Sequence, residues 1–262
     1  MEVPVSPMSM SVVMWMALVT LLSGCAVGTP PSRLNDYVGT HPTPALESLG
    51  PLSTKTGRTG LLVIADQTAA EAAPILPDEA QTQLTEQLKE RLAHSLPITV
   101  EMLIPAEGVQ PQGDVKSLLE LGKARDVEYL LVVVASATER EYPLMIFLGW
   151  NTHSQPGLRR DNWSLLEAAL IDVKTGTVLL RGEGRSMATL DRPTAPGINQ
   201  WYPVIWLRPS GPDGRPWWPP TYEGAPNTLR VVAMNDAAKR LALDLQRTWL
   251  EFRHNEFISS RQ

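Results

Sequence analysis

Apolar and polar positions along the chain alternate in blocks that predict strands and helices in turn. A continuous apolar run at residues 61–65 follows Gly60 and ends at Asp66. Continuous apolarity is typical of a strand that is covered on both faces. Similar runs lie at residues 98–104 and 129–135. The pattern therefore predicts three buried strands in the first half of the chain.

Two helices are predicted between these strands. The first begins after Pro77, and its leucines recur at every fourth position, with charged residues on the other side: Leu84, Leu88 and Leu92. The second is shorter, and Asp114 is placed to cap it. Parallel strands need crossover connections, and those connections are right-handed. The order strand, helix, strand, helix, strand therefore predicts a sheet flanked by helices.

The second half of the chain predicts a hairpin and a long helix. Residues 164–173 and 177–187 are two strand candidates joined by Lys174-Thr175-Gly176, where Asp172 and Gly176 fit ordinary turn chemistry. A helix over residues 228–257 carries one apolar stripe: Met234, Ala238, Leu241, Leu245, Trp249 and Phe252. The stripe indicates a helix that covers one sheet face, and a coiled-coil partner helix is the alternative. The predicted fold class is α/β, with a single mixed-sheet domain.

Two segments are not explained by core formation. The apolar piece at residues 144–150 fits a strand, a hairpin arm or an exposed contact. Residues 190–226 are rich in proline, which keeps a segment out of a β-ladder, and in aromatic residues that provide contact area with little entropy to lose. We expect this insertion to dock a protein partner or to rest on the membrane interface, through Trp201, Tyr202, Trp206, Trp217 and Trp218. The alternative is that the tryptophans fold back and close one end of the domain.

The N-terminal region resembles the leader of a bacterial lipoprotein. Residues 8–22 are mostly apolar and uncharged, but a membrane span needs about 20 apolar residues. The run closes with Leu22-Ser23-Gly24-Cys25, which resembles a lipobox and contains the only cysteine. This resemblance implies that Cys25 is lipidated and that residues 1–24 are removed as a signal peptide. A buried apolar helix with a chance cysteine is the alternative.

Residue 26 is alanine rather than aspartate, which in lipoproteins of two-membrane bacteria implies the outer membrane and its periplasmic face. Residues 25–56 are polar and contain five prolines after the cysteine, so they predict an extended tether. Within this tether, residues 33–38 could instead dock on the domain. The domain itself is expected to span residues 57–262.

Composition and charge exclude several classes of function. The net charge of −5 argues against nucleic acid as a partner, because phosphate binding requires a clustered basic surface. The histidines show no metal-ligand spacing, and we identify no catalytic motif, cofactor motif or metal site. Asp66 ends the first strand, where open α/β sheets often place ligand-binding groups. A ligand-binding protein or enzyme that uses this edge is therefore the rival interpretation.

Three features together resemble a family: the lipobox, the strand at residues 129–134, and the segment at residues 166–176. With them the chain resembles periplasmic lipoproteins of the rhombotarget type and the wider class of CsgG-like α/β lipoprotein domains. The resemblance implies a non-enzymatic factor in envelope assembly, secretion or cell-wall regulation. Its expected partners are the membrane, through the lipid on Cys25, and an envelope protein. Homo-oligomer formation stays open.

Overall fold

The structure is a computed structural model, and it describes residues 28–40, 57–69, 71–111, 115–147, 154–194, 203–209 and 215–259. The described residues form four helices and six strands. The helices are α1 (Leu34–Val38), α2 (Asp78–Ser95), α3 (Lys116–Ala124) and α4 (Ala225–Ser259). The strands are β1 (Arg58–Asp66), β2 (Thr99–Ile104), β3 (Tyr129–Phe147), β4 (Ser154–Asp172), β5 (Val178–Pro193) and β6 (Val204–Arg208).

The six strands form one mixed sheet in the order β2-β1-β3-β4-β5-β6. Strand β1 pairs in parallel with both β2 and β3, because α2 and α3 supply the crossover connections. The remaining neighbours are antiparallel. The predicted α/β class, the mixed sheet and the flanking helices are confirmed.

Helices cover the two faces of the sheet in pairs. On one face α2 and α4 pack against alternate strand residues, and the fully buried members include Leu61, Leu88, Leu131, Leu166 and Leu241. On the opposite face α1 and α3 cover the intervening residues, among them Val38, Leu62, Leu118, Leu130 and Ile171. The continuous apolar runs of the sequence are therefore explained, since both faces of the central strands are buried.

The long helix α4 lies directly on β5, as its apolar stripe predicted. Its own Leu241 and Leu245 are fully buried. The close approach depends on Gly184, where an added Cβ would lie 2.1 Å from the carbonyl oxygen of Ala237. A side chain at this position would push the helix off the sheet.

Strands β3, β4 and β5 continue well beyond the apolar runs that predicted them. We call the continuation the distal arm, and define it as residues 139–147, 154–163 and 188–193. Its cross-strand contacts are largely charged pairs: Arg159–Asp191 at 2.7 Å, Arg160–Glu141 at 2.9 Å and Arg192–Glu141 at 2.5 Å. Of the predicted apolar piece at 144–150, residues 144–147 belong to β3, and the rest lies outside the described residues.

The predicted hairpin is confirmed at the turn between β4 and β5. Asp172 Oδ1 accepts hydrogen bonds from the backbone N–H groups of Lys174, at 2.8 Å, and Thr175, at 3.0 Å. Gly176 has a φ of 75°, which favours glycine. These two residues serve the turn, as the sequence predicted.

Candidate functional site

Residues 28–39 lie across the sheet face that α1 and α3 cover, and their contacts with the sheet form what we call the N-terminal clamp. The clamp crosses four strands. Thr138 Oγ1 on β3 donates to the carbonyl oxygen of Gly28 at 2.9 Å. At the other end Arg181 on β5 donates to Asn35 Oδ1 at 2.7 Å and to the carbonyl oxygen of Gly39 at 3.0 Å.

The centre of the clamp is the carboxylate of Glu167 on β4, which is only 5% exposed. It accepts hydrogen bonds from Ser32 Oγ at 2.5 Å, from the backbone N–H of Arg33 at 2.6 Å and from the backbone N–H of Leu34 at 3.1 Å. A buried carboxylate requires such partners, because burying a charge without them costs several kcal/mol. The docked alternative for residues 33–38 is therefore the one observed.

Asp66 also belongs to the clamp. Tyr37 Oη donates to Asp66 Oδ2 at 2.7 Å, and Thr68 donates to Asp66 Oδ1 through its hydroxyl and its backbone N–H. Burial alone would raise the pKa of Asp66, but the hydrogen bonds from Tyr37 and Thr68 and the nearby Arg33 outweigh it, so the pKa lies below its ordinary value. Burial and the same hydrogen bond raise the pKa of Tyr37. The carboxylate is thus occupied within the protein.

A small cavity of about 80 Å³ lies on the other face of the sheet, at the carboxyl end of β1 and the middle of β3. Its walls are mainly apolar and include Val63, Ala65, Leu76, Leu84, Ala135 and Met234. Polar side chains at its wall are bonded within the protein. Gln81 Nε2 donates to the carbonyl oxygen of Leu76 at 2.7 Å, and Thr85 Oγ1 donates to the carbonyl oxygen of Gln81 at 2.9 Å.

Arg230 of α4 forms the charged wall of this cavity. Its guanidinium donates to both carboxylate oxygens of Glu139, at 2.7 Å and 3.0 Å, and to Asn227 Oδ1 at 2.8 Å. The side chains of Arg230 and Glu139 are only 10% and 11% exposed. Such a bidentate buried pair ties the helix to the distal arm. Because Glu139 neutralises the charge of Arg230, the cavity is an apolar space beside an ion pair.

The described tryptophans of the 190–226 insertion lie at the β6 edge of the sheet. Trp217 pairs with Ile205 of β6 through two backbone hydrogen bonds of 2.8 Å and 2.9 Å. The side chains of Trp217 and Trp218 are 50% and 61% exposed, so they do not close one end of the domain. Trp206 is half-buried, and the Arg208 guanidinium lies 5.9 Å from its ring centre. We call Trp206, Trp217 and Trp218 the tryptophan surface.

The expectation that proline keeps this insertion out of the sheet is wrong for residues 190–193, which end β5, and for residues 204–208, which form β6. No proline lies between Pro203 and Pro209, so every backbone N–H of that stretch is available for pairing. Cys25, Trp201 and Tyr202 lie outside the described residues.

Two classes of feature were sought across the part of the chain that the structure describes. No group of three or more His, Cys, Asp or Glu side chains there is arranged to hold a metal ion. None of the described helices combines the length and the apolarity needed to cross a bilayer.

Sequence reasoning missed the clamp because most of its partners are at least 110 residues apart, as in the Ser32–Glu167 pair, where the separation is 135 residues. One signal was nevertheless present in the sequence. Glu167 interrupts the apolar run from Leu165 to Leu170, and a lone carboxylate in a strand buried on both faces requires internal hydrogen-bond donors. The Arg230–Glu139 pair left no comparable signal, since charged residues are common in both segments.

No protein-family model matches this sequence, and no curated protein sequence matches it. Solved structures with a similar fold include a neuraminyllactose-binding hemagglutinin homolog from Helicobacter pylori, with 10% identity and a TM-score of 0.39 over 80% of this chain and 92% of that one. Lipoprotein GNA1162 from Neisseria meningitidis has 10% identity and a TM-score of 0.28, over 50% of this chain and 82% of that one.

A third similar structure is the PelC dodecamer from Paraburkholderia phytofirmans, with 13% identity and a TM-score of 0.26 over 75% of this chain and 92% of that one. The similar structures thus include a lipoprotein and an oligomer. At these identities and TM-scores, they assign no residue role, ligand or partner to this chain.

Proposed function

We propose that this protein is a non-enzymatic lipoprotein of the bacterial envelope that docks a protein partner through its tryptophan surface. In this proposal residues 1–24 are removed, Cys25 carries the lipid, and residues 57–262 form the working domain. The lipobox at residues 22–25 supports anchoring, and Ala26 supports the periplasmic face of the outer membrane as the site. One acyl chain holds a protein only marginally, whereas two or more hold it stably.

The observation that carries the docking proposal is the exposure of Trp217 and Trp218 on a backbone that the sheet holds in place. Tryptophan and arginine dominate the binding energy of protein interfaces. In the same surface Arg208 lies over the ring of Trp206, and Arg215 precedes Trp217 by two residues; both arginines are exposed. Because Trp217 is paired to β6, its backbone is already ordered before a partner binds. Little conformational entropy then remains to be lost on association.

The resemblance to rhombotarget-type and CsgG-like lipoproteins is part of the same proposal. It favours a role in envelope assembly, secretion or cell-wall regulation. The geometry of the sheet edge supports a role without catalysis, since the Asp66 carboxylate is engaged by Tyr37 and Thr68 on one face. The cavity on the other face is mainly apolar, and Gln81, Thr85 and Arg230 at its wall are hydrogen-bonded within the protein.

A photo-crosslinking experiment in the intact envelope tests the proposal. A photoreactive phenylalanine analogue replaces Trp218 in one variant and Leu243 in a control variant, because Leu243 on α4 is equally exposed at 63%. We expect one dominant protein adduct from position 218 that disappears when Trp217→Ala is added. We also expect Cys25→Ser to release the protein from the membrane fraction and to abolish the adduct.

Two results would overturn the proposal. Equal adducts from positions 218 and 243 would show that the tryptophan surface is not a specific docking site. A Cys25→Ser protein that still fractionates with membranes and still forms the adduct would remove the role of the lipid. Immunoblotting and mass spectrometry of the isolated adducts distinguish the two.

A further inference from the structure

The N-terminal clamp limits how far the folded domain can lie from a lipid on Cys25. The clamp begins at Gly28, whose carbonyl oxygen is bonded to Thr138 Oγ1 at 2.9 Å. Gly28 is three residues after Cys25. An extended chain covers at most about 3.6 Å per residue, so the two Cα atoms lie within about 11 Å of each other. The free part of the tether is therefore far too short to lift the domain off a membrane.

Thr138 lies at the middle of β3, nine residues after Tyr129 and nine before Phe147. At about 3.3 Å per residue, the strand extends roughly 30 Å from Thr138 in each direction. If β3 stood perpendicular to the membrane, half of the strand would enter the bilayer, because the anchor at its middle reaches only about 11 Å. The strand must instead lie alongside the membrane surface. The sheet face that carries the clamp, which we call the clamp side, then faces the membrane.

The two halves of that side differ in what covers them. Between Tyr129 and Thr138 the sheet carries α1 and α3, each adding a layer about 10 Å thick. In the distal arm the same side carries Arg140, Tyr142 and Leu144, and the described apolar cluster that α1 and α3 bury includes no residue of the arm. The domain therefore tilts, and the distal arm comes closer to the lipid than the helix-covered half.

The chemistry of the distal arm suits a headgroup surface. Arg140 is exposed on the clamp side, and Arg208 of β6 is exposed on the same side of the sheet. The acidic side chains on that side, Asp161 and Asp191, are buried, and Asp191 is paired with Arg159. Anionic headgroups attract arginine within about a Debye length of the surface.

We propose that the N-terminal clamp holds the distal arm against the phospholipid headgroups, with Arg140 facing them. This inference rests on the proposed lipidation of Cys25. It also constrains the proposed partner. Across the paired strands Trp217 lies opposite Glu141 of β3, and four inter-strand spacings separate the two residues. The backbone of Trp217 therefore lies within about 35 Å of Cys25, the lipid-bearing residue. The partner must therefore reach close to the membrane surface.

Contact quenching in vesicles tests this orientation. The lipid occupies Cys25, the only cysteine, so an introduced cysteine is the only free thiol. Arg140→Cys and Arg125→Cys are matched variants, because both arginines are exposed and Arg125 follows α3 at the opposite end of β3. Each lipidated protein is labelled with a fluorophore and placed in phosphatidylethanolamine and phosphatidylglycerol vesicles that contain a lipid with a nitroxide on its headgroup.

We expect a fluorescence loss at position 140 several times that at position 125. Adding Glu167→Gln, which weakens the clamp, should reduce the loss at 140 while the protein still floats with the vesicles. Equal losses at 140 and 125 in a protein that floats would overturn the orientation and leave the lipid anchor intact. A mass spectrum without the lipid, and no flotation, would overturn both this inference and the proposed anchoring.

Discussion

Glu167→Gln should destabilise the protein through the N-terminal clamp. The carboxylate is 5% exposed and accepts three hydrogen bonds, from Ser32 Oγ and from the backbone N–H groups of Arg33 and Leu34. Glutamine has nearly the same shape, but it keeps one acceptor oxygen and turns an amide donor toward these donors. Hydrogen bonds to charged groups contribute about 1.5–3 kcal/mol each, and an unsatisfied buried donor costs about 1–3 kcal/mol.

We therefore expect the free energy of unfolding to fall by about 3 kcal/mol. For a chain of this size, that corresponds to a lower Tm by roughly 6–12 °C. Urea denaturation followed by tryptophan fluorescence measures the first quantity, and calorimetry measures the second. Limited trypsin digestion adds a local readout, because release of the clamp exposes the bond after Arg33 to cleavage.

Glu183→Gln is the matched control. Glu183 lies directly opposite Glu167 on β5, but its side chain is 49% exposed and pairs with Arg185 on the same strand. An exposed pair of this kind contributes about 1 kcal/mol or less. If the two variants lost equal stability, or if cleavage after Arg33 were unchanged in Glu167→Gln, the clamp would not depend on this carboxylate and the reasoning would be refuted.

Two further predictions concern the other buried charges. Arg230→Gln should lower the free energy of unfolding by about 3 kcal/mol in urea denaturation, because it leaves the Glu139 carboxylate buried without its bidentate partner. The exposed control Arg185→Gln should cost about 1 kcal/mol or less, and equal costs would contradict the role of burial. The pKa of Asp66 is lower in the folded protein than its ordinary value of 3.8, so its contribution to stability is present above that pH and is lost as the pH falls through the folded pKa. Unfolding measured from pH 6 downward should therefore show a shallower acid dependence for Asp66→Asn than for the wild type, and parallel curves would contradict the assignment.

Local patterns accounted for most of the elements. The leucines at every fourth position placed α2, and the Asp172 to Gly176 turn placed the hairpin, because both depend on residues that are close in sequence. The lengths of β3, β4 and β5 were underestimated for the opposite reason. Their distal parts are polar, and what holds them is pairing between strands, such as Arg159 with Asp191, 32 residues apart.

The candidate sites divide in the same way. Composition and proline content marked the 190–226 insertion as unusual, but only the structure showed that Trp217 pairs with Ile205 and that its ring stays half exposed. Asp66 was expected at a sheet edge, and it is there. Its partner Tyr37 comes from a segment that the sequence assigned to a tether, so its structural role could not be read from the strand alone.

The sequence by itself determined the order of β1 to β5 with α2, α3 and α4, and the α/β class, since each is set by neighbouring residues, whereas the lipobox stays a prediction from residues 22–25. Tertiary structure alone decided which charges are buried together, how far the distal arm extends, and that residues 28–39 lie on the sheet. Hydrophobic periodicity specifies which face of an element is buried. It does not specify which distant polar group will satisfy a buried carboxylate such as Glu167, because that choice depends on the assembled sheet.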